Sequence, residues 1–131
     1  MNRIEEIASR GMVHEELTGQ ILEASFEVMK ELGSGFLEGV YQNALLVALS
    51  QEGVKVEARV PLLVRFRREV VGEYFADLLV ERKVIVELTA VKAPAPEHQA
   101  QLINYLKATG IEVGLLINFG RPRLEYRRLH N

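Results

Sequence analysis

Two apolar, strand-like segments that carry one acidic residue each lie on either side of a short charged turn. The first is Ala76-Asp77-Leu78-Leu79-Val80 and the second is Val84-Ile85-Val86-Glu87-Leu88. Short runs of aliphatic and β-branched residues bounded by charged residues predict buried strands, here the two arms of a hairpin. Because acidic residues are almost never fully buried without a partner, this hairpin constrains both the core and the chemistry that it can hold.

The position of Asp77 relative to Glu87 depends on the length of the turn. A two-residue turn at 81–82 places Asp77 opposite Val86, whereas a three-residue loop at 81–83 places it opposite Glu87. Two carboxylates in direct opposition repel each other unless a cation or a proton lies between them. Oxygen ligands of this kind suit Mg²⁺ or Mn²⁺. The alternative is that Glu87 is a buried acid paired with an arginine.

The composition is that of an ordinary globular domain. The chain has 131 residues, of which 48% are hydrophobic and 26% are charged, and it has no cysteine. We expect one domain over residues 1–131, with residues 1–13 as a flexible N-terminal segment. The absence of cysteine excludes disulfides and thiolate zinc sites. No apolar run approaches the roughly 20 residues of a membrane span, and the charged start predicts no signal peptide. A soluble, cytoplasmic protein is the expectation.

Charge is distributed unevenly although the net charge is only −2. Residues 1–57 hold 4 basic and 10 acidic residues, and residues 58–131 hold 12 basic and 8 acidic residues. Arginines cluster at 65–68 and at 121–128. Such clusters can neutralise the phosphates of a nucleic acid. The other interpretation is that they solvate exposed strands and block edge-to-edge pairing.

Hydrophobic periodicity predicts an α/β fold with the order α-α-β-β-β-α-β-β. We expect a mixed central sheet flanked by helices, with Pro61 marking an edge strand or a bulge. The predicted helices cover 14–32, 37–51 and 94–109, and the predicted strands cover 54–66, 70–80, 84–91, 112–119 and 124–129.

Polar side chains on the predicted helices add to the acidic pair. His98, Gln101 and Tyr105 are spaced i, i+3 and i+7, so they share one face of the third helix. Glu38 lies near the start of the second helix, three residues before Tyr41. Ordinary structural roles remain open, because a carboxylate at a helix start is stabilised by the helix dipole and such polar stripes are often hydrogen-bonded structure.

These motifs resemble a known family. The segment Gly35-Phe36-Leu37-Glu38-Gly39-Val40-Tyr41 is similar to the motif that names the GxxExxY proteins of the PD-(D/E)XK nuclease superfamily. The resemblance runs from His14 to Asn131. Asp77 matches the metal-binding aspartate of that superfamily, and Glu87 matches the glutamate of its E-x-K element.

Further matches lie in the second half of the chain. Gln101 and Tyr105 resemble the Q-x-x-x-Y element of RecB-like nucleases, and His98 matches a histidine of the subfamily. The segment 115–120 is similar to the closing strand of the subfamily. The resemblance implies a restriction-endonuclease-like fold.

The resemblance also implies a role for each matched residue. Asp77, Glu87 and the backbone carbonyl of Leu88 are expected to hold Mg²⁺ or Mn²⁺, and Glu38 is expected to complete the site directly or through water. A metal ion at such a site lowers the pKa of a bound water and stabilises charge on the phosphate. In the same picture, the Q-x-x-x-Y pair, at 101 and 105, orients Glu87 or contacts the nucleic-acid strand.

Thr89 departs from the family pattern, because the E-x-K element reads Glu87-Leu88-Thr89. Substitutes for the missing lysine are Lys92, which strand alternation places on the other face, Lys107, which lies off the polar stripe, and His98 acting as a base. Two functions therefore remain open. The chain is either a metal-dependent nuclease acting on DNA or RNA, or a degenerate nuclease fold that binds nucleic acid or a protein without cutting. A homo-oligomer is left open as well.

Overall fold

The structure is a computed structural model that describes residues 13–131. The predicted flexible segment at 1–13 lies, apart from Val13, outside the described residues. The predicted α-α-β-β-β-α-β-β order is confirmed, with the ends of the elements moved by one or two residues. The elements are α1 Glu15–Leu32, α2 Glu38–Gln51, β1 Val56–Phe66, β2 Glu69–Val80, β3 Val84–Thr89, α3 Pro96–Thr109, β4 Val113–Asn118 and β5 Glu125–His130.

The five strands form one mixed sheet in the order β1-β2-β3-β4-β5. Strands β1, β2 and β3 pair antiparallel, β3 and β4 pair parallel through the α3 crossover, and β4 and β5 pair antiparallel. Pro61 therefore lies on an edge strand, as predicted, since only there is a missing backbone N–H tolerated. The bulge in β1 falls between Val64 and Arg65 rather than at the proline.

Helices cover both faces of the sheet. On one face, α1 and α2 pack against alternate residues of β3 and β4, including Val86 and Leu115. On the other face, α3 packs against Ile85 and Leu79. Glu87 has the same strand parity as Ile85, so it belongs to the α3 face. No helix within residues 13–131 is long and apolar enough to cross a membrane.

The turn between β2 and β3 has the three-residue form. Leu78 pairs with Val86, and Val80 pairs with Val84, which leaves residues 81–83 as the loop. Asp77 and Glu87 are the next opposed positions, but the ladder ends before them. The sheet therefore forks at the two acids, where β2 separates from β3.

At this same point, the side chains of the β1–β2 hairpin switch from one face of the sheet to the other. Ala76 and Leu79 both pack in the α3 cluster although they are three residues apart, and regular alternation would place them on opposite faces. The ladder between β1 and β2 skips one opposed pair, Arg59 and Asp77, and Arg59 has a φ of 53°. Strict alternation of side chains along β2 therefore fails between the outer and inner parts of the strand. A left-handed residue twists the hairpin there.

Glycine is required where α3 and a loop approach the sheet closely. A Cβ at Gly120 would collide with the backbone of Val91 and Ala90. A Cβ at Gly114 would come within 2.9 Å of the Leu102 side chain. The first close approach lies just beyond the ends of β3 and β4, and the second lies where α3 packs on the start of β4.

Candidate active site

The fork of the sheet opens into one cavity of about 240 Å³, which we call the acid cavity. All eight residues singled out in the sequence for the site and its polar stripe line it, together with two that sequence reasoning did not include, Phe75 and Leu116. Phe75 lies beyond the point where the faces exchange, so alternation along β2 did not point to it. The full lining is Glu38, Phe75, Asp77, Glu87, Leu88, Thr89, His98, Gln101, Tyr105 and Leu116.

Asp77 and Glu87 are held by the backbone of each other's strand. The N–H of Asp77 donates to Oε1 of Glu87 at 3.0 Å, and the N–H of Leu88 donates to Oδ2 of Asp77 at 2.8 Å. The two carboxylates thus continue the antiparallel ladder with side-chain oxygens where backbone pairing has stopped. Each keeps a second oxygen for another partner.

The two acids are in an environment that opposes ionisation. Burial, followed by repulsion from Asp77, raises the pKa of Glu87 to about 8. Burial also raises the pKa of Asp77, against the lowering effects of the hydrogen bonds and of the nearby Arg59 charge. Burial and repulsion from Asp77 raise the pKa of Glu38, and His98 opposes this shift. A positive charge in the cavity would stabilise the ionised form of all three acids.

Glu38 reaches the cavity from α2, the layer opposite α3, and the chain before it is anchored by Tyr41. The buried Tyr41 hydroxyl donates to the carbonyl of Gly33 at 2.6 Å and accepts from the N–H of Phe36 at 3.2 Å. Its ring stacks on Phe119 at 4.6 Å between centroids. The tyrosine of the motif therefore fixes the turn that delivers the glutamate.

Helix α3 contributes the polar stripe at i, i+3 and i+7. Nδ1 of His98 accepts a hydrogen bond from the N–H of Ala95 at 3.4 Å, which caps the start of the helix. Nε2 of Gln101 donates to the hydroxyl of Tyr105. The Tyr105 ring lies 5.5 Å from that of Tyr74 on β2. His98 therefore combines a capping role with a place in the cavity wall.

Thr89 lines the cavity and its hydroxyl is used structurally. The Oγ1 of Thr89 donates to Oδ1 of Asn118 at 3.0 Å. Oδ1 of Asn118 also accepts hydrogen bonds from the N–H groups of Val91 and Gly120. Nδ2 of Asn118 donates to the carbonyl of Val91. Asn118, which the sequence did not point to, thus joins the ends of β3 and β4. A threonine at position 89 fits this network, which uses a hydroxyl that a lysine lacks.

In the part of the chain that the structure describes, no Lys or Arg side chain lines the cavity. Among residues 13–131, ion pairs within 4 Å are confined to Arg82–Glu57 and Arg121–Glu125, so none of the three acids has one. The alternative that Glu87 is paired with an arginine is therefore wrong for this part of the chain. Lys92 and Lys107 are absent from the lining, and Lys107 instead borders a groove beyond Tyr105.

Comparison with known proteins agrees with this architecture. The sequence model of the PD-(D/E)XK nuclease superfamily matches residues 15–129. The chain belongs to the PD-(D/E)XK nuclease superfamily. Its five-stranded mixed sheet with three helices is that of a restriction-endonuclease-like fold. None of the curated proteins matches the chain.

A solved structure supports the same fold for this PD-(D/E)XK domain. The crystal structure of SSO0001 is 22% identical, with a TM-score of 0.55. The match covers 71% of this chain and 49% of that one, so the chain spans about half the length of that protein. At this identity the likeness concerns the fold alone.

Proposed function

We propose that this chain is a divalent-metal-dependent nuclease that hydrolyses phosphodiester bonds of DNA or RNA. One observation carries the proposal: Glu38, Asp77 and Glu87 come from three different elements to one cavity, where no Lys or Arg of the described chain lies within 4 Å of them. A cluster of acids that serves only stability would be expected to have a cationic partner. A divalent cation is the partner that an all-oxygen set selects.

The donor set fits Mg²⁺ or Mn²⁺ when water completes the coordination. Within residues 13–131 no three His, Cys, Asp or Glu side chains are grouped closely enough to hold an ion by themselves. We therefore assign direct contacts to Asp77, Glu87 and the carbonyl of Leu88, and a contact through water to Glu38. Mg²⁺ normally keeps several waters, so such a mixed shell is ordinary. The bound ion would supply an activated water and neutralise charge on the phosphate.

The remaining side chains of the cavity would position the substrate or Glu87 and donate a proton. Gln101 donates to Tyr105, and this pair would hold the substrate strand or the Glu87 carboxylate in place. Because Nδ1 of His98 accepts a hydrogen bond from backbone, a neutral His98 ring carries its proton on Nε2 and can donate it to a phosphate oxygen or a leaving group.

We further infer that the chain is a GxxExxY protein. The support is physical: Gly35 has a φ of 119°, Tyr41 pins the preceding turn, and Glu38 between them lines the acid cavity. Each of the three residues named by that motif thus has a distinct use here.

The test is a pair of measurements with Mn²⁺. Millimolar Mn²⁺ should raise the melting temperature by mass action, and Asp77→Asn should abolish the rise because it removes a ligand charge. Glu73→Gln, an exposed acid on the same strand, is the matched control and should respond like the native protein. Cleavage of single- and double-stranded oligonucleotides should require the metal and should be lost in Glu87→Gln, which controls for contaminating nucleases.

A second candidate function is binding of nucleic acid without cutting. It is favoured by Thr89, whose hydroxyl is engaged by Asn118 and which carries no charge toward the phosphate. Under this alternative no cleavage occurs, whether or not Mn²⁺ raises the melting temperature. An unchanged melting temperature would remove the metal site and with it the proposed nuclease activity.

A further inference from the structure

We propose that Arg59 supplies the positive charge that the E-x-K element lacks, by contacting the nucleic-acid phosphate at the mouth of the acid cavity. This inference rests on the proposed nuclease function and deepens it. It assigns a substrate-contacting residue on β1, an element that carries none of the superfamily's matched positions in this sequence.

The backbone places Arg59 beside the acids. The ladder pairs Ala58 with Leu78 and Val60 with Ala76, so Arg59 is opposed to Asp77. Neighbouring strands are about 5 Å apart, so Arg59 lies directly beside Asp77 and its side chain can reach the site.

The side chain of Arg59 does not line the cavity but lies near one of the residues that do. Its guanidinium lies 6.0 Å from the centroid of the Phe75 ring, and Phe75 lines the acid cavity. A guanidinium stacked against an aromatic face is held in position while its N–H groups stay available. Those donors form a planar fork that suits the two oxygens of a phosphate. Arg59 is also exposed, so a bound strand can approach it.

The backbone conformation of Arg59 also indicates a functional role. A φ of 53° at a β-strand residue other than glycine is unfavourable, and such residues concentrate at functional sites. Glycine would occupy this position more easily and would permit the same exchange of faces. The sequence therefore keeps an arginine where the fold alone would prefer no side chain.

The decisive variant is Arg59→Gly, which removes the guanidinium and relieves the backbone at once. Arg82→Gly is the matched control, because Arg82 also has a positive φ, of 57°, but lies exposed at its turn, where it pairs with Glu57 rather than opposing an acid of the cavity. We expect Arg59→Gly to fold at least as well as the native protein and to keep the Mn²⁺-induced rise in melting temperature. Its metal-dependent cleavage should fall about 10²-fold, while Arg82→Gly should cleave at the native rate.

A second variant tests whether Arg59 stands in for the lysine. Thr89→Lys should restore cleavage to Arg59→Gly and should add much less in the native background, since two groups that serve one role are not additive. Equal gains in cleavage rate from Thr89→Lys in both backgrounds would show that Arg59 does not stand in for the lysine.

The remaining outcomes separate this inference from the nuclease proposal. If Arg59→Gly and Arg82→Gly cleave equally, or if Arg59→Gly loses the Mn²⁺ response, Arg59 is not a phosphate contact, and the metal site is judged separately by Asp77→Asn. If the native protein does not cleave, oligonucleotide affinity in Ca²⁺ takes the place of rate. A loss of affinity confined to Arg59→Gly supports the contact, and equal affinities of the two variants overturn it.

Discussion

The Glu87 carboxylate accepts a hydrogen bond from the backbone N–H of Asp77 at 3.0 Å, at the position where the β2–β3 ladder would otherwise have continued. An ionisable side chain thereby replaces a neutral backbone carbonyl within the sheet. The bond fixes the geometry of the acid, and burial beside a second acid makes its charge costly. The stability of the fold therefore depends on the charge of Glu87.

The first prediction is a loss of stability with rising pH that depends on Glu87. Its pKa is raised in the folded state from 4.5 to about 8, so between these values the folded chain binds a proton that the unfolded chain does not. Stability should fall as pH rises through this window, by up to about 5 kcal/mol. Glu87→Gln keeps a hydrogen-bond acceptor without the charge and should flatten the melting temperature between pH 5 and about 9. Parallel curves for the two proteins would contradict the prediction.

The second prediction concerns the pH dependence of metal binding. An ion must displace the proton from Glu87, so binding releases a proton and strengthens as pH rises toward about 8. The rise in melting temperature produced by a fixed Mn²⁺ concentration should be larger at pH 8 than at pH 6. Calorimetry in two buffers of different ionisation enthalpy should detect the released proton. A pH-independent response would mean that Glu87 is not a ligand.

The third prediction concerns the anchor of α2. Tyr41→Phe keeps the ring stacked on Phe119 but leaves the carbonyl of Gly33 and the N–H of Phe36 without their partner. The expected cost is about 1–3 kcal/mol. Tyr126→Phe, at a half-exposed ring, should cost much less. Chemical denaturation measures both, and an equal loss in the two variants would show that the Tyr41 hydroxyl is not a special anchor.

The fourth prediction distinguishes structure from chemistry at Thr89. Thr89→Val removes the donor to Asn118 with little change in shape, and Oδ1 of Asn118 still accepts from Val91 and Gly120. We expect a loss of about 1 kcal/mol in unfolding free energy and unchanged Mn²⁺ binding and cleavage. Abolished cleavage in a folded Thr89→Val protein would instead place the hydroxyl in the reaction.

The fifth prediction concerns the close approach behind the site. Gly120→Ala forces a methyl group into the backbone of Val91 and Ala90, so it should destabilise the fold by about 1–3 kcal/mol or more. Gly19→Ala has no atom within 4 Å of the added carbon and lies inside α1, where alanine is favoured by about 1 kcal/mol. The two alanine variants should therefore change the melting temperature in opposite directions.

Local pattern predicted most of the site because its residues follow regular periods. The spacing of His98, Gln101 and Tyr105 is a property of any α-helix, and all three line the acid cavity. The position of Asp77 opposite Glu87 was one of two outcomes set by the turn length, and the longer turn is present. Both inferences needed only the geometry of one helix or one hairpin.

The features that were not predicted depend on departures from those periods. The left-handed residues Arg59 and Arg82 are not glycines, so nothing in the local sequence marks them. The exchange of faces occurs where Arg59 of β1 is opposed to Asp77, and alternation counted along a regular strand cannot anticipate it. Asn118 was missed for a related reason, since its hydrogen bonds join segments that are 27 and 29 residues apart.

The long hairpin has a consequence for how this domain can be altered. Strand β2 pairs with β3 only from Leu78 to Val80, whereas β1 and β2 stay paired out to Phe66 and Glu69. The residues from 63 to 73 are mostly exposed and have only each other as strand partners. This tip is therefore a natural graft point: a peptide tag or a different binding loop can be exchanged there while the register at Asp77 is kept.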